Sequence, residues 1–403
     1  TTYGGFMKIL HTSDWHIGHA LYGKKRNDEH SAFLNWLTEQ IASRDIDALV
    51  VSGDIFDTGS PGGAAEQLYF DFLTSIIKTN CKTVVIVAGN HDSPRRLQAP
   101  AALLKKLHIH VIGIPSAPAD HVIELKDSDD NIGALCCAVP YLRKNDMVRI
   151  EDDNISTDEK IILATKQFYS DVAAAAKQKN PDVPIIATGH LFAQGATTSE
   201  GDGVRELYVG SLGHVGADVF PEEIDYVALG HIHSKQTVSG NERIRYSGSP
   251  LCMSFSEIGK PKYVLEIDTL DGISVDKIEV PAFRQMKAIS GDYDEIISAL
   301  GALSGDVWVE VTYTGSELRS SLSFDINEAV RGSDISVLSI RNKAIIDSII
   351  GATQISQTLE SMKVADVFLR CMDDNEISGS RREHMTADFN EIVREVQERD
   401  LCE

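Results

Sequence analysis

Five apolar runs of the chain each end in residues able to hold a metal ion. They lead in turn into Asp14-Trp15-His16, Gly53-Asp54, Gly89-Asn90-His91-Asp92, Gly189-His190 and Gly230-His231-Ile232-His233. This mixture of carboxylate, imidazole and amide carbonyl, without thiolate, suits Mn²⁺, Fe²⁺ or Zn²⁺ at two adjacent sites better than a structural zinc site. Manganese is the first expectation. A carboxylate can bridge two such ions at about 3.5 to 4 Å, and the pair clamps a phosphate, acidifies water and stabilises a leaving oxygen. Hydrolysis of a phosphate ester is the chemistry expected.

Any one of these residues has an ordinary reading. Asn90 alone is an Asx-turn, and His231 with His233 is a polar strand end. Five such endings in succession resist that reading, because functional groups in open α/β sheets gather beyond the carboxyl ends of strands. Gly53, Gly89, Gly189 and Gly230 each precede a candidate ligand, where the absence of a Cβ permits a sharp exit from the strand. His30, His108, His110, His121 and His384 lack this framing and default to surface or core roles.

The elements that must position these residues read as an α/β domain up to about residue 270. Lys8–Thr12, Ala48–Val51, Thr83–Val87, Ile109–Ile112, Gly133–Val139, Pro184–Ala187 and Tyr226–Leu229 are rich in Val and Ile and do not alternate. They should be strands covered on both faces. Phe33, Trp36, Leu37 and Ile41 have helical spacing, as do Leu68, Phe72 and Ile76. Arg243–Tyr246 and Tyr263–Ile267 suggest a second, more antiparallel sheet. From residue 279 to 352 a small α+β domain is expected, with strands at Asp306–Tyr313 and Ile335–Arg341. Residues 353–403 carry two apolar stripes, Val364, Val367, Phe368 and Cys371, then Phe389, Ile392, Val393 and Val396. These C-terminal helices could bind a partner or pack on their own domain.

Composition bounds the rest. With 403 residues, 42% of them hydrophobic, the chain can bury a full core across two or three domains. No run reaches the roughly 18 to 20 apolar residues of a membrane span, and no secretory leader is evident, so a soluble cytoplasmic protein is expected. Thr1–Phe6 read as an addition ahead of a natural start at Met7. Six cysteines without C-x-x-C spacing fit a reducing compartment, and Cys136 with Cys137 read as buried inert thiols. The net charge of −22 opposes attraction to a polyanion, so a nucleic-acid enzyme would need basic loops, bound cations or a partner protein.

In this order, D-x-H, G-D, G-N-H, G-H and G-H-x-H resemble the calcineurin-like metallophosphoesterases. Within them, HTSDWHIG (His11–Gly18), SGDIFDTGSP (Ser52–Pro61), AGNHDS (Ala88–Ser93), ATGH (Ala187–His190), ALGHIH (Ala228–His233) and YSGSP (Tyr246–Pro250) are similar to the Mre-type DNA nucleases. The resemblance is strong through residues 7–278. It implies a four-layer α/β/β/α sandwich, a capping domain and C-terminal helices. It also implies that Asp14, His16, Asp54 and His233 hold one metal, while Asp54, Asn90, His190 and His231 hold the other. His91 would face the scissile phosphate without being a ligand, protonating the leaving oxygen or stabilising the transition state. Asp92 would orient His91 or cap the next segment. Asp57 stands where archaeal relatives carry another histidine, so no role is transferred to it.

The activity implied is 3′–5′ double-strand exonuclease and single-strand or hairpin endonuclease cleavage in DNA repair, in the cytoplasm on the nucleoid. The implied partners are DNA, an SMC-like ATPase gripped by the C-terminal helices, and a second copy within a heterotetramer. Lys24, Lys25 and Arg26 are candidate contacts to DNA phosphates, with Arg95, Arg96, Arg143 and Lys144 also near the motifs. The competing readings are a small-molecule phosphoesterase of the same fold and an inactive scaffold. The region after residue 280 speaks against the first and the complete ligand set against the second.

Overall fold

The computed structural model describes residues 6–143, 156–193, 215–317 and 321–342, with isolated positions outside these spans. In chain order the strands up to residue 280 are β1 (Lys8–Thr12), β2 (Ala20–Leu21), β3 (Lys24–Lys25), β4 (Ala48–Ser52), β5 (Thr83–Val87), β6 (Ile109–Ile112) and β7 (Val122–Lys126). They continue with β8 (Ile132–Cys137), β9 (Ile185–His190), β10 (Tyr226–Gly230), β11 (Gln236–Val238), β12 (Asn241–Tyr246), β13 (Lys262–Asp268) and β14 (Ser274–Val280).

Two six-stranded sheets result, ordered β14-β13-β1-β4-β5-β6 and β11-β12-β10-β9-β8-β7. Successive side chains leave a strand on opposite faces, which explains why the central runs do not alternate in polarity. Ile9, Val50, Val85 and Val87 pack against Cys136, Ile186 and Ala228 of the other sheet. Their neighbours Leu10, Leu49, Val84 and Ile86 point outward onto α1 (Asn27–Ser43) and α2 (Gly63–Ile76), which bury Phe33, Leu37, Ile41, Phe72 and Ile76. On the outer face of the second sheet, α3 (Thr157–Lys179) covers Cys137, Ile185 and Val227. The layers are α/β/β/α, the architecture of a metallophosphoesterase sandwich.

Arg243–Tyr246 and Tyr263–Ile267 do not form a sheet of their own. β12 runs parallel to β10 in the second sheet, and β13 lies antiparallel to β1 in the first. A short apolar run specifies a strand but not its partner, and β13 finds a partner more than two hundred positions away.

Beyond Val280, β15 (Gln285–Gly291), α4 (Tyr293–Gly301), β16 (Val307–Tyr313), α5 (Leu322–Ala329) and β17 (Ser336–Asn342) build a three-stranded sheet in the order β15-β16-β17. A capping box at Asp292 and Glu295 starts α4, satisfying main-chain donors at both ends of the first turn. Its core is Ile296, Leu300, Val307, Val309, Val311 and Ile326. Residues 1–315 and 319–341 form one compact unit, so the expected boundary near residue 279 falls inside it. The hairpin β2–β3 meets the capping sheet: Tyr22 donates to Glu310 at 2.9 Å and Lys24 to Ser336 at 2.5 Å. The C-terminal segment expected to be helical lies outside the described residues except at isolated positions. Among the described residues no helix is long and apolar enough to cross a membrane.

Candidate metal centre

The centre forms where the carboxyl ends of both sheets meet. Asp14 and His16 follow β1, Asp54 follows β4, Asn90 follows β5, His190 ends β9, and His231 and His233 follow β10. The first two loops are zipped together by main-chain bonds from Asp14 N to Gly53 O, His16 N to Asp54 O and Ile17 N to Ile55 O, at 2.9 to 3.0 Å. Asp14, His16, Asp54 and His231 adopt positive φ of 53°, 46°, 51° and 99°. Such backbone costs a non-glycine residue on the order of 1 kcal/mol or more, and it persists where surrounding contacts over-determine it. Here it turns consecutive side chains inward.

All seven expected ligands converge. Asp14, His16 and His233 offer donor atoms within 4.8 Å of one another, as do Asp14, Asp54 and His190. His16 Nε2 lies 3.1 Å from His233 Nε2. The Asp54 carboxylate is between two imidazoles, with Oδ2 at 3.2 Å from His190 Nε2 and 3.6 Å from His16 Nε2. Asn90 Oδ1 lies 2.9 Å from His190 Nε2 and 3.0 Å from His231 Nδ1. Asp14 Oδ1 accepts from His231 N at 2.8 Å and its Oδ2 from Ser13 Oγ at 2.5 Å.

The site's electrostatics demand positive charge. Burial pushes Asp14 up to about 6, with the Asp54 charge adding to it. Burial pushes Asp54 the same way, but His190 and His16 outweigh it and hold the carboxyl well below the usual range. Burial alone would depress His190, yet Asp54 and Asp14 raise it to about 9. His231, buried beside His190, falls to about 3. Two buried carboxylates thus face four imidazoles whose nitrogens point at one another and at oxygens. These residues fit divalent cations: neutral imidazoles and ionised carboxylates are the ligand forms, and His16 Nδ1 is a buried nitrogen with no hydrogen-bond partner.

The glycines serve a purpose beyond the turn expected of them. Only Gly53, at φ 88°, uses left-handed backbone. A Cβ on Gly89 would overlap the Asp54 carboxylate, and one on Gly230 the Ser52 carbonyl. These positions are close approaches rather than hinges.

His91 is half-buried, its ring edge-on to His16 at 4.7 Å between centroids. Nδ1 lies 2.8 Å from the Asp57 carbonyl and donates to it, so Nε2 carries the lone pair when the ring is neutral. Burial lowers its pKa against the pull of Asp54. Asp57, to which the sequence assigned no role, lies 3.0 Å from His19 Nδ1 and 3.4 Å from His16 Nδ1. Asp92 neither orients His91 nor caps the next segment. Its carboxylate accepts from Gly89 N, Ile55 N and Phe56 N at 2.8 to 3.1 Å and so staples the second loop to the third.

The basic residues are placed differently from one another. Arg26 is buried, paired with Glu29 at 2.6 Å and donating to Cys252 O, which removes it from the expected phosphate contacts. An Arg three residues ahead of a Glu at a helix start was the signal for that pairing. Lys24 stands over the Trp308 ring at 5.3 Å and is engaged with the capping sheet. Lys25 is exposed. Arg96 pairs with Glu66, Arg143 donates to Asp92 O, and Lys144 lies outside the described residues.

Sheet order, layers and the converging side chains define a phosphoesterase, and the chain belongs to the calcineurin-like phosphoesterase family, whose match spans residues 7–235. Residues 282–376 match a second family, the type 5 capsule protein repressor C-terminal domain. The chain is similar to SbcD, the smaller component of nuclease SbcCD, of Escherichia coli K12, at 36% identity over 94% of this chain and 96% of that one. The SbcD protein of Rhodobacter capsulatus is 36% identical over 74% of this chain and 76% of its own. That of Bacillus subtilis is 34% identical over 66% and 67%.

Proposed function

We propose that this chain is a metal-dependent DNA nuclease with two divalent cations, manganese by first choice. Asp14, His16, Asp54 and His233 hold one, and Asp54, Asn90, His190 and His231 the other. The observation that carries this reading is the Asp54 carboxylate set between His190 and His16, the place of a bridging ligand. When bound, the cations supply Lewis acidity toward a phosphate oxygen and acidify water.

The chain's own groups do the rest. Ser52 O fixes the His190 tautomer, and Asp57 O fixes that of His91, leaving Nε2 of His91 to contact the scissile phosphate. A neutral ring there can stabilise charge in the transition state, or hand on a proton taken up first.

DNA as substrate draws its support from the relatives named as parts of a nuclease, matched over most of this chain. The modes carried from the resemblance are 3′–5′ double-strand exonuclease and single-strand or hairpin endonuclease activity. The net charge of −22 makes an external source of basic surface useful. An SbcC-type SMC-like ATPase, gripped by segment 353–403, would supply it. The assembly is a homodimer of this chain within a heterotetramer, working in the cytoplasm on the nucleoid. The test is cleavage of single-stranded and end-bearing duplex DNA with Mn²⁺, with and without the ATPase. Hydrolysis confined to nitrophenyl esters, with none of DNA, would overturn the reading.

A further inference from the structure

Beside His233 the surface opens into a cleft of about 250 Å³, lined by His233, Lys235, Ser247, Lys260, Lys262 and Tyr263. One end reaches the metal centre: His233 Nε2 faces His16, and Ser247 Oγ lies 2.8 Å from Ser13 Oγ, which donates to Asp14. Lys262 is already committed. Its ammonium donates to His233 O at 3.1 Å and Ser249 Oγ at 3.0 Å and pairs with buried Glu257, fixing the loop that carries His233.

Lys235 differs. It is exposed, and its Nζ lies 5.6 Å from the centroid of Tyr263, while Lys277 Nζ lies 5.2 Å from the same centroid. Among the described residues neither ammonium has a carboxylate within 4.0 Å. Two cations share one ring in a chain with 60 acidic against 38 basic residues, where a carboxylate neighbour would be the ordinary outcome. Like charges so placed repel each other, and an anion between them removes that cost.

From this juxtaposition we infer that the cleft is a subsite for the phosphodiester adjoining the scissile one, bound by Lys235 with Lys277 behind it across the Tyr263 ring. The inference rests on the nuclease reading and deepens it: the enzyme grips at least two successive phosphates of one strand. The minimal ligand chemistry is a phosphodiester linked through a sugar to the reacting phosphate. A single small ester, which carries one phosphate, cannot fill both places.

The experiment compares wild type with Lys235→Ala, Lys235→Arg and Lys235→Ala/Lys277→Ala, each loaded with Mn²⁺. Every variant is assayed on a short single-stranded oligonucleotide and on bis(p-nitrophenyl) phosphate, with metal content and melting temperature recorded. For Lys235→Ala the expected result is a rise in KM for DNA of roughly fivefold to tenfold, and a salt dependence shallower by about one unit of log–log slope, as loss of one phosphate contact requires. The ratio of DNA to small-ester efficiency falls by the same factor, and Lys235→Arg restores it. An unchanged ratio and salt slope would overturn the subsite while wild-type DNA cleavage upheld the nuclease reading. An equal loss on both substrates, or loss of metal, would overturn it by placing Lys235 in support of the centre. If wild type hydrolyses only the small ester, the nuclease reading fails, and the subsite fails with it.

Discussion

The imidazole of His190, at the end of the second sheet, donates its Nδ1–H to the main-chain carbonyl of Ser52, at the end of the first, at 2.9 Å. A carbonyl oxygen only accepts, so Nε2 is left as a lone pair directed at Asp54 and Asn90. The bond joins the sheets and prepares a ligand at once. His190→Ala is therefore expected to lower bound manganese, by elemental analysis, from two ions per chain to one, with loss of DNA cleavage. Two ions retained in the variant would remove His190 from the ligand set.

His91 should behave differently. Its Nδ1 is occupied by Asp57 O, and the residues expected as ligands come together without it. His91→Ala is expected to keep both ions and lose about 10²- to 10⁴-fold in kcat, the range for removal of an acid–base or transition-state group. Loss of an ion together with activity would instead make it a ligand through the group it forms with His16 and Asp57.

Much of this site was legible in the chain because each ligand ends an apolar run, and the runs became strands at nearly the expected bounds: Lys8–Thr12, Thr83–Val87 and Ile109–Ile112 match β1, β5 and β6. Pairing was not legible, since a run buried on both faces reads alike in either sheet. The long helix α3 went unread although Ser156 and Glu159 form a capping box at its start. Left-handed backbone at four ligands, the Asp92 staple and the burial of Arg26 all depend on partners brought in by the fold, and local pattern does not carry them. Gly89 and Gly230 were singled out for the right positions and the wrong reason.

That reason is testable. A methyl group on Gly89 collides with the Asp54 carboxylate, and one on Gly230 with Ser52 O, both atoms of packed loops. Gly89→Ala should cost about 1–3 kcal/mol of stability in denaturant unfolding, as overpacking does. It should also weaken manganese binding, because the displaced group is the bridging carboxylate. A variant with wild-type stability and metal content would show that the loop yields freely.

Ions that bind only the folded chain must stabilise it. At one hundred times the dissociation constant the gain is about 2.7 kcal/mol per site. Thermal melts after chelation and after Mn²⁺ addition should therefore differ by several degrees, and Asp54→Asn, which weakens the bridge, should abolish most of the rise. Coincident melts for the wild type would contradict a metal centre that forms with the fold.

The last expectation concerns acid. His11 is fully buried in β1, its Nδ1 3.0 Å from the Tyr226 hydroxyl, and burial lowers it to about 3. In the unfolded chain it titrates near 6.5, so between pH 6.5 and 3 the unfolded state binds the extra proton, and its contribution to stability, full above pH 6.5, is lost as pH falls. The loss approaches about 1.4 kcal/mol for each pH unit in that window. Asp14 and Asp92 act in the opposite sense, since burial raises both to about 6 and the folded state then takes up protons first. The wild-type curve alone would mix these effects, whereas the difference between wild type and His11→Phe isolates one. The wild type should lose stability relative to His11→Phe steadily from about pH 6.5 to about 4.5 in urea unfolding. A difference that stays flat across that range would mean that His11 accepts a proton in the folded core, against its lack of any partner at Nε2.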